Sequence, residues 1–407
     1  MTETTSSKKP VTVIALIMAV CLLGNEMLFI VLPLYWDFFG LTAVWQIGIL
    51  LSVNRFIRIL INPLIALFYQ KMSIRAGILV AVLFSVCSTF AYGCLKGIWL
   101  LLIARCMWGV AWSLFRLGGY LTVITSSTSK TRGEYVGLFN GLWGIGTLLG
   151  MLLGGFLVEQ FGVLPVTTGF ALLGFLSFPL AYRHLPAAGS VEQHPVHAAE
   201  QKPEGQKHKG IALALLTGLS VSFVVYGIFS STLSKLIEMQ LNETIWIASL
   251  SIGAATLAGA IQAARTGWEP FLSPWLGKWS DRKWGRSRVL TVSLFAAAAC
   301  YLLMPLAIPV PFFILIVFVF QLTTTLLVTM SDSNAADLAT GESQVKTLSS
   351  YTLFSDSGAA FGALLAFIMI DFSGIRTLYW TAGSLLLVLA FLWIVEHRRR
   401  REQRAGR

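Results

Sequence analysis

Twelve stretches of the chain stay apolar long enough to cross a bilayer, which takes about 20 residues at a rise of about 1.5 Å each. Their approximate limits are 12–34, 45–69, 76–95, 98–124, 134–157, 163–182, 211–234, 245–277, 289–308, 311–331, 347–370 and 377–396. The eighth is too long for one straight span, and Pro270 and Pro274 are expected to bend or divide it. Between the sixth and seventh runs, Arg183 to Lys209 is polar, rich in Pro, Gly and Gln, and without hydrophobic period. It reads as a disordered linker. The pattern predicts an all-α polytopic membrane protein with 12 transmembrane helices in two pseudo-symmetric six-helix bundles. The expected parts are an N-terminal bundle over 1–182, a cytoplasmic linker over 183–209, a C-terminal bundle over 210–397 and a basic cytoplasmic tail over 398–407.

Composition agrees. Of 407 residues, 56% are apolar and 12% charged, whereas a soluble domain carries about 25% charged residues. The mean hydropathy is +0.74. A disordered chain is excluded and a soluble one disfavoured. The net charge of +11 would suggest nucleic acid in a soluble protein, but here its placement decides. With twelve spans both termini share one side, and that side holds 22 of the 30 lysines and arginines. The opposite loops hold Lys96, Lys235 and Arg376. Basic residues accumulate on the cytoplasmic face, so both termini are expected there, in a multi-pass protein of the cell inner (plasma) membrane. The lipid bilayer is an expected partner, nucleic acid is not, and the chain reads as a monomer.

Five cysteines, Cys21, Cys87, Cys94, Cys106 and Cys300, lie in apolar runs without a CxxC pair, which argues against a disulfide framework or zinc site. Four of the five histidines fall in the linker region and read as solvated. No metal or cofactor is expected. No GxxxxGK[ST] sequence is present, so ATP is not the direct driver.

The halves read as repeats. A shift of 211 residues places Asn62-Pro63-Leu64 on Ser273-Pro274-Trp275 and Arg75 on Arg286, and a shift of 212 places Gly150 on Gly362. Duplicated six-helix halves are a common transporter architecture.

The segment from Pro274 to Arg288 resembles the loop signature of the major facilitator superfamily, G-x-x-x-D-R-x-G-R-R, with Gly277, Asp281, Arg282, Gly285 and Arg286 at its positions. The first-half copy, Ala66, Gln70, Lys71, Ile74 and Arg75, lacks the acidic residue. Arg105-Cys-Met-Trp-Gly109 is similar to the family's R-x-x-x-G, whose embedded arginine is linked to proton coupling. Arg132-Gly133 followed by Gly141, Gly144, Gly146, Gly150, Gly154 and Gly155 resembles the glycine-rich signature of its exporters, with Met151 where that signature has proline. The resemblance, which extends to bacterial drug/proton antiporter-like members, implies a secondary transporter working by alternating access. It also implies a gating role for the loop signature.

Charges inside spans need a reason, because each costs about 2.5–3.5 kcal/mol at the bilayer centre. Glu26 sits in the first run, beside Asn25. It suits proton carriage or attraction of a cation, or it locks helices through an arginine. Arg55 and Arg58 share a helix face, and Arg116 lies about three turns beyond Arg105. These arginines pair with Glu269 and Asp356 of the other half, or bind an anionic group in bidentate fashion; Arg116 also suits snorkelling to the interface. Glu269 is alternatively neutralised by Arg265, and Asp356 is alternatively hydrogen-bonded to its neighbouring serines or engaged in helix packing. Asp332, Asn334 and Asp337 read as capping or solvated. Trp108, Trp112 and Trp143 are candidates to line a cavity or to pack a core. The helix-5 glycines predict close helix contact.

These residues support proton-coupled export of a small organic or amphipathic solute, with substrate and protons as partners and no enzymatic activity. The alternatives are proton-coupled uptake of a small organic anion and a non-transporting membrane sensor.

Overall fold

The structure is a computed structural model that describes residues 8–128, 131–185, 205–241, 245–247, 250–283, 285–338 and 344–405. Its first helices are α1 (Lys9–Val31), α2 (Trp45–Lys71), α3 (Ile74–Cys94), α4 (Ile98–Ser126), α5 (Arg132–Phe161) and α6 (Val163–His184). There follow α7 (Gly205–Ser222), a π-helical segment (Phe223–Phe229), α8 (Ser230–Gln240), β1 (Ile245–Ile247), β2 (Leu250–Ile252), α9 (Ala254–Lys283), α10 (Arg286–Leu303), α11 (Val310–Leu338) and α12 (Gln344–Ala405). The proposed linker is framed by α6, which runs through Arg183 and His184, and by Gly205 at the start of α7; 186–204 lie outside the described residues. The far end of the tail, 406–407, does too.

Among the described residues, ten helical stretches are long and apolar enough to span a membrane. The longest, Thr347–Arg398, contains Gly374 at φ 82°, a left-handed conformation that a β-carbon disfavours. The break divides it into the last two expected spans. The eighth expected span is corrected. Its first residues form an antiparallel hairpin pairing Ile245 with Ile252 and Ile247 with Leu250, and helix begins only at Ala254. The run Ile-Trp-Ile is β-branched and aromatic, which favours a strand over a helical turn. α9 then continues through Pro270 and Pro274 to Lys283 and is too polar along its length to count among the apolar spans.

The chain divides into two compact units, unit 1 with 1–196 and 243–267, unit 2 with 197–242 and 268–407. In unit 1, α1 has the highest mean hydropathy and is the most buried span, packed chiefly on α5, with α3, α4 and α6 around it, as expected of a helix whose polar residues are few. Its start is tied to the first turn of α5 by an exposed Lys8–Glu134 ion pair of 2.5 Å, which contributes little to stability. Large apolar side chains on the outer faces stay exposed, as at Leu60, Phe175 and Leu176; such a belt faces lipid rather than water. All five cysteines are free.

Six glycines of α5 fall on two faces. A β-carbon at Gly146 would lie 2.3 Å from the Ala19 carbonyl, one at Gly150 3.0 Å from that of Leu23, and one at Gly154 2.6 Å from Met27. This row carries the α1 contact. Gly137, Gly141 and Gly144 have open space where a side chain would be, so they take no part in it.

Candidate functional site

In unit 1 the sequence candidates on α1, α2 and α4 converge. Arg105 is 1% exposed. Its Nε donates to the Leu50 carbonyl at 2.7 Å, and its Nη1 donates to Asn25 Oδ1 at 2.7 Å. Asn25 Nδ2 in turn donates to Glu26 Oε1 at 2.8 Å. The guanidinium and the carboxylate are therefore linked through an amide rather than by direct contact. Gly109, one turn beyond Arg105, explains the local geometry. A side chain there would meet Ile57 Cγ2 at 2.2 Å and the Asn54 carbonyl at 2.8 Å. Its absence lets the α2 backbone come close enough for Arg105 to reach Leu50. Arg105 Nη2 has no hydrogen-bond partner among the described residues.

Glu26 is half-buried, and its Cβ lies 2.9 Å from where a side chain at Gly150 would begin. Arg55, Arg58 and Arg105 all act electrostatically on its carboxylate. Arg58 donates from Nε to the Asn54 carbonyl at 3.2 Å, and its guanidinium lies 5.5 Å from the Trp112 ring centroid. Trp112 meets Trp143 edge to face at 5.6 Å, and Trp143 donates to Asn140 Oδ1 at 3.1 Å. Cation–π and T-shaped aromatic contacts order such a row. Trp108 lies apart in the apolar core among Ile14, Ala111 and Phe115, and Arg116 is exposed.

Glu269 on α9 and Asp356 on α12 belong to unit 2, and both are half-buried. In that unit the structure draws attention to Asp332 on α11, which the sequence suggested only as a helix-end residue. It accepts from the Tyr351 hydroxyl at 2.8 Å, Tyr351 also bonds Ser331 at 2.8 Å, and Glu269 is near enough to repel it. The usable signal was the polar run Ser331-Asp332-Ser333-Asn334.

Of the loop signature, Gly277 is half-buried within α9, and Asp281 and Arg282 lie in its last turn with side chains outside the described residues. Gly285 takes φ 79° immediately before α10, which places Arg286 to donate to Asp337 Oδ1 at 2.7 Å. Asp337 is thus both solvent-exposed and paired with Arg286. Arg75, the first-half counterpart, instead donates to the Leu185 carbonyl at 2.6 Å and lies over Tyr182.

Comparison with known proteins agrees with this architecture. The sequence profile of the Major Facilitator Superfamily matches residues 14–268 and 270–407. The chain belongs to this superfamily. It is a multi-pass membrane protein and a secondary transporter, not an enzyme. It is 24% identical over 166 residues to Multidrug resistance protein 1 of Bacillus subtilis (strain 168), a stretch that is 40% of this chain and 39% of that relative. Its fold matches a peptide transporter of the POT family in complex with sulfate, at 13% identity and TM-score 0.75 over 96% of this chain and 94% of the other. It also matches an inward-facing, unoccupied bacterial homologue of the human lysosomal transporter Spinster, at 13% identity and TM-score 0.73 over 95% and 96%. A variant of the nucleoside transporter NupG matches at 14% identity and TM-score 0.72 over 96% and 99%.

Proposed function

We propose that this transporter exports a small organic or amphipathic solute against protons, with Glu26 as the proton-carrying group and Arg105, held through Asn25, as its electrostatic partner. The observation that carries the reading is the Arg105–Asn25–Glu26 chain inside unit 1. A single carboxylate within a span, faced by three arginines, can exchange a proton with little rearrangement, because Arg105 keeps its Asn25 and Leu50 acceptors in either charge state of Glu26. The similarity to a multidrug resistance protein supports export and an amphipathic solute. The Trp112–Trp143 pair offers an aromatic face on which such a solute can stack. The distribution of basic residues supports both termini in the cytoplasm, in a protein of the cell membrane.

The test is flux in proteoliposomes with ethidium and tetraphenylphosphonium as probes under an imposed pH gradient. The parent protein is expected to move at least one probe in proportion to the gradient. Glu26→Gln is expected to lose that dependence. If the glutamine variant responds to the gradient as the parent does, Glu26 is not the coupling group.

A further inference from the structure

Glu159 lies in the last turn of α5. Its place is electrostatically unfavourable in isolation, because the C-terminal end of a helix is the negative end of its dipole. The structure shows what compensates. The Glu159 carboxylate accepts from the backbone N–H groups of Gly253 at 2.9 Å, Ala255 at 2.8 Å and Thr256 at 3.2 Å, and from the Thr256 hydroxyl. These include N–H groups of the first turn of α9, which have no acceptor within their own helix, and a carboxylate at a helix start is favoured by the dipole. Gly253 leaves the necessary room, since a β-carbon there would lie 2.6 Å from Glu159 Oε1.

The helices below this contact are close enough to follow it. A side chain at Gly155 would lie 2.3 Å from the Ala255 carbonyl, and one at Gly259 2.4 Å from the Met151 carbonyl. α5 and the first half of α9 therefore run together inside unit 1 as far as Gly267, where α9 leaves the unit and continues through Pro270 and Pro274. One helix is thus held in two units, with two prolines just past the point of division. Prolines weaken the helix there by removing backbone donors.

We propose that Glu159 is the latch of this half-helix. Its carboxylate holds the N-terminal half of α9 on α5 in the conformation seen here. Breaking its four bonds frees that half to move with the rest of α9 during the transport cycle. The packed glycines supply a close fit but little directional hold, so the capping bonds set how often the pair separates.

The experiment needs no substrate and is independent of the proton-coupling proposal. Spin labels are placed at Phe161→Cys and Leu257→Cys, in full-length protein whose five native cysteines are replaced, and the distance distribution is measured in nanodiscs. Glu159→Ala is expected to raise the separated-to-closed ratio about fivefold, the size of a lost helix cap. Thr256→Val, which removes only the hydroxyl bond, is expected to raise it about twofold. Where Glu159→Ala does not yield folded protein, Glu159→Asp, which keeps the charge but shortens the reach, replaces it with the same expectation. Distributions unchanged in the Glu159 variant, with the protein folded and monodisperse, overturn the latch. So does a rise in backbone amide exchange confined to 253–256 without a change in distance, which makes Glu159 a local cap only.

Discussion

The seam between α1 and α5 in unit 1 and the seam of α7 and the π-helical segment with the first half of α12 in unit 2 share one pattern of contact. Gly146 meets the carbonyl of Ala19 and Gly150 that of Leu23; Gly358 meets the carbonyl of Leu219 and Gly362 that of Phe223. Beyond these contacts, unit 1 places Asn25 and Glu26 in an unbroken helix, whereas unit 2 places Val225 and Tyr226 in the π-helical segment. Unit 1 then needs polar partners for a charge, supplied by Asn25 and the arginines. In unit 2, side-chain donors add to the backbone bonds of the π-helical segment. Tyr301 supplies one to Val224 at 2.7 Å, and Ser230 one to Val225 at 3.0 Å. The repeat preserves backbone contact while the interior chemistry is free to change. Close approach of two helices requires only small residues, but an interior charge or a π turn requires specific partners.

The comparison breaks first on flux. Glu26→Gln is expected to lower proton-driven probe flux about a hundredfold, equivalent to about 2.7 kcal/mol, while Tyr226→Phe in the corresponding turn changes it less than about twofold. Equal losses would show that the two turns share a role. The shared part is tested next. Gly146→Ala and Gly358→Ala are each expected to cost about 1–3 kcal/mol, because the new methyl meets backbone that cannot yield, seen as similar falls in the thermal midpoint in detergent. Tyr301→Phe is expected to cost about 1–2 kcal/mol by leaving the Val224 carbonyl without its donor, and proton-driven flux should persist. The smallest effect has the opposite sign. Gly141→Ala, whose methyl enters open space, should stabilise by up to about 1 kcal/mol through helix propensity, which separates the packing face of α5 from its open face.

Much of the fold was legible because the bilayer allows few solutions. A run of about 20 apolar residues must satisfy its own backbone, and a helix is the local way to do so. The failures were local too. Residues 245–252 were apolar enough to read as helix, but their β-branched alternation made a hairpin. The candidate site was legible in part. Charge inside a span singled out Glu26, Arg58 and Arg105, and spacing placed glycines where helices meet. Spacing did not show that Asn25 stands between Arg105 and Glu26, because that bridge joins α1 to α4 across 80 residues. Nor did it show that Trp108 is core while Trp112 and Trp143 form a pair, since all three read alike as aromatic residues within apolar runs.

Sequence alone determined the class of molecule, the positions of most spans, the repeat of its halves and the few interior charges, since each follows from composition or local periodicity. Tertiary structure decided which of those charges are joined, which face of α5 is packed, that Asp332 is held by Tyr351, and that Glu159 caps a helix nearly a hundred residues away. The physical reason is range. Helix formation and membrane insertion are settled within about 20 residues, whereas a hydrogen bond from Arg105 or to Glu159 depends on the approach of separate helices to within a few tenths of an ångström.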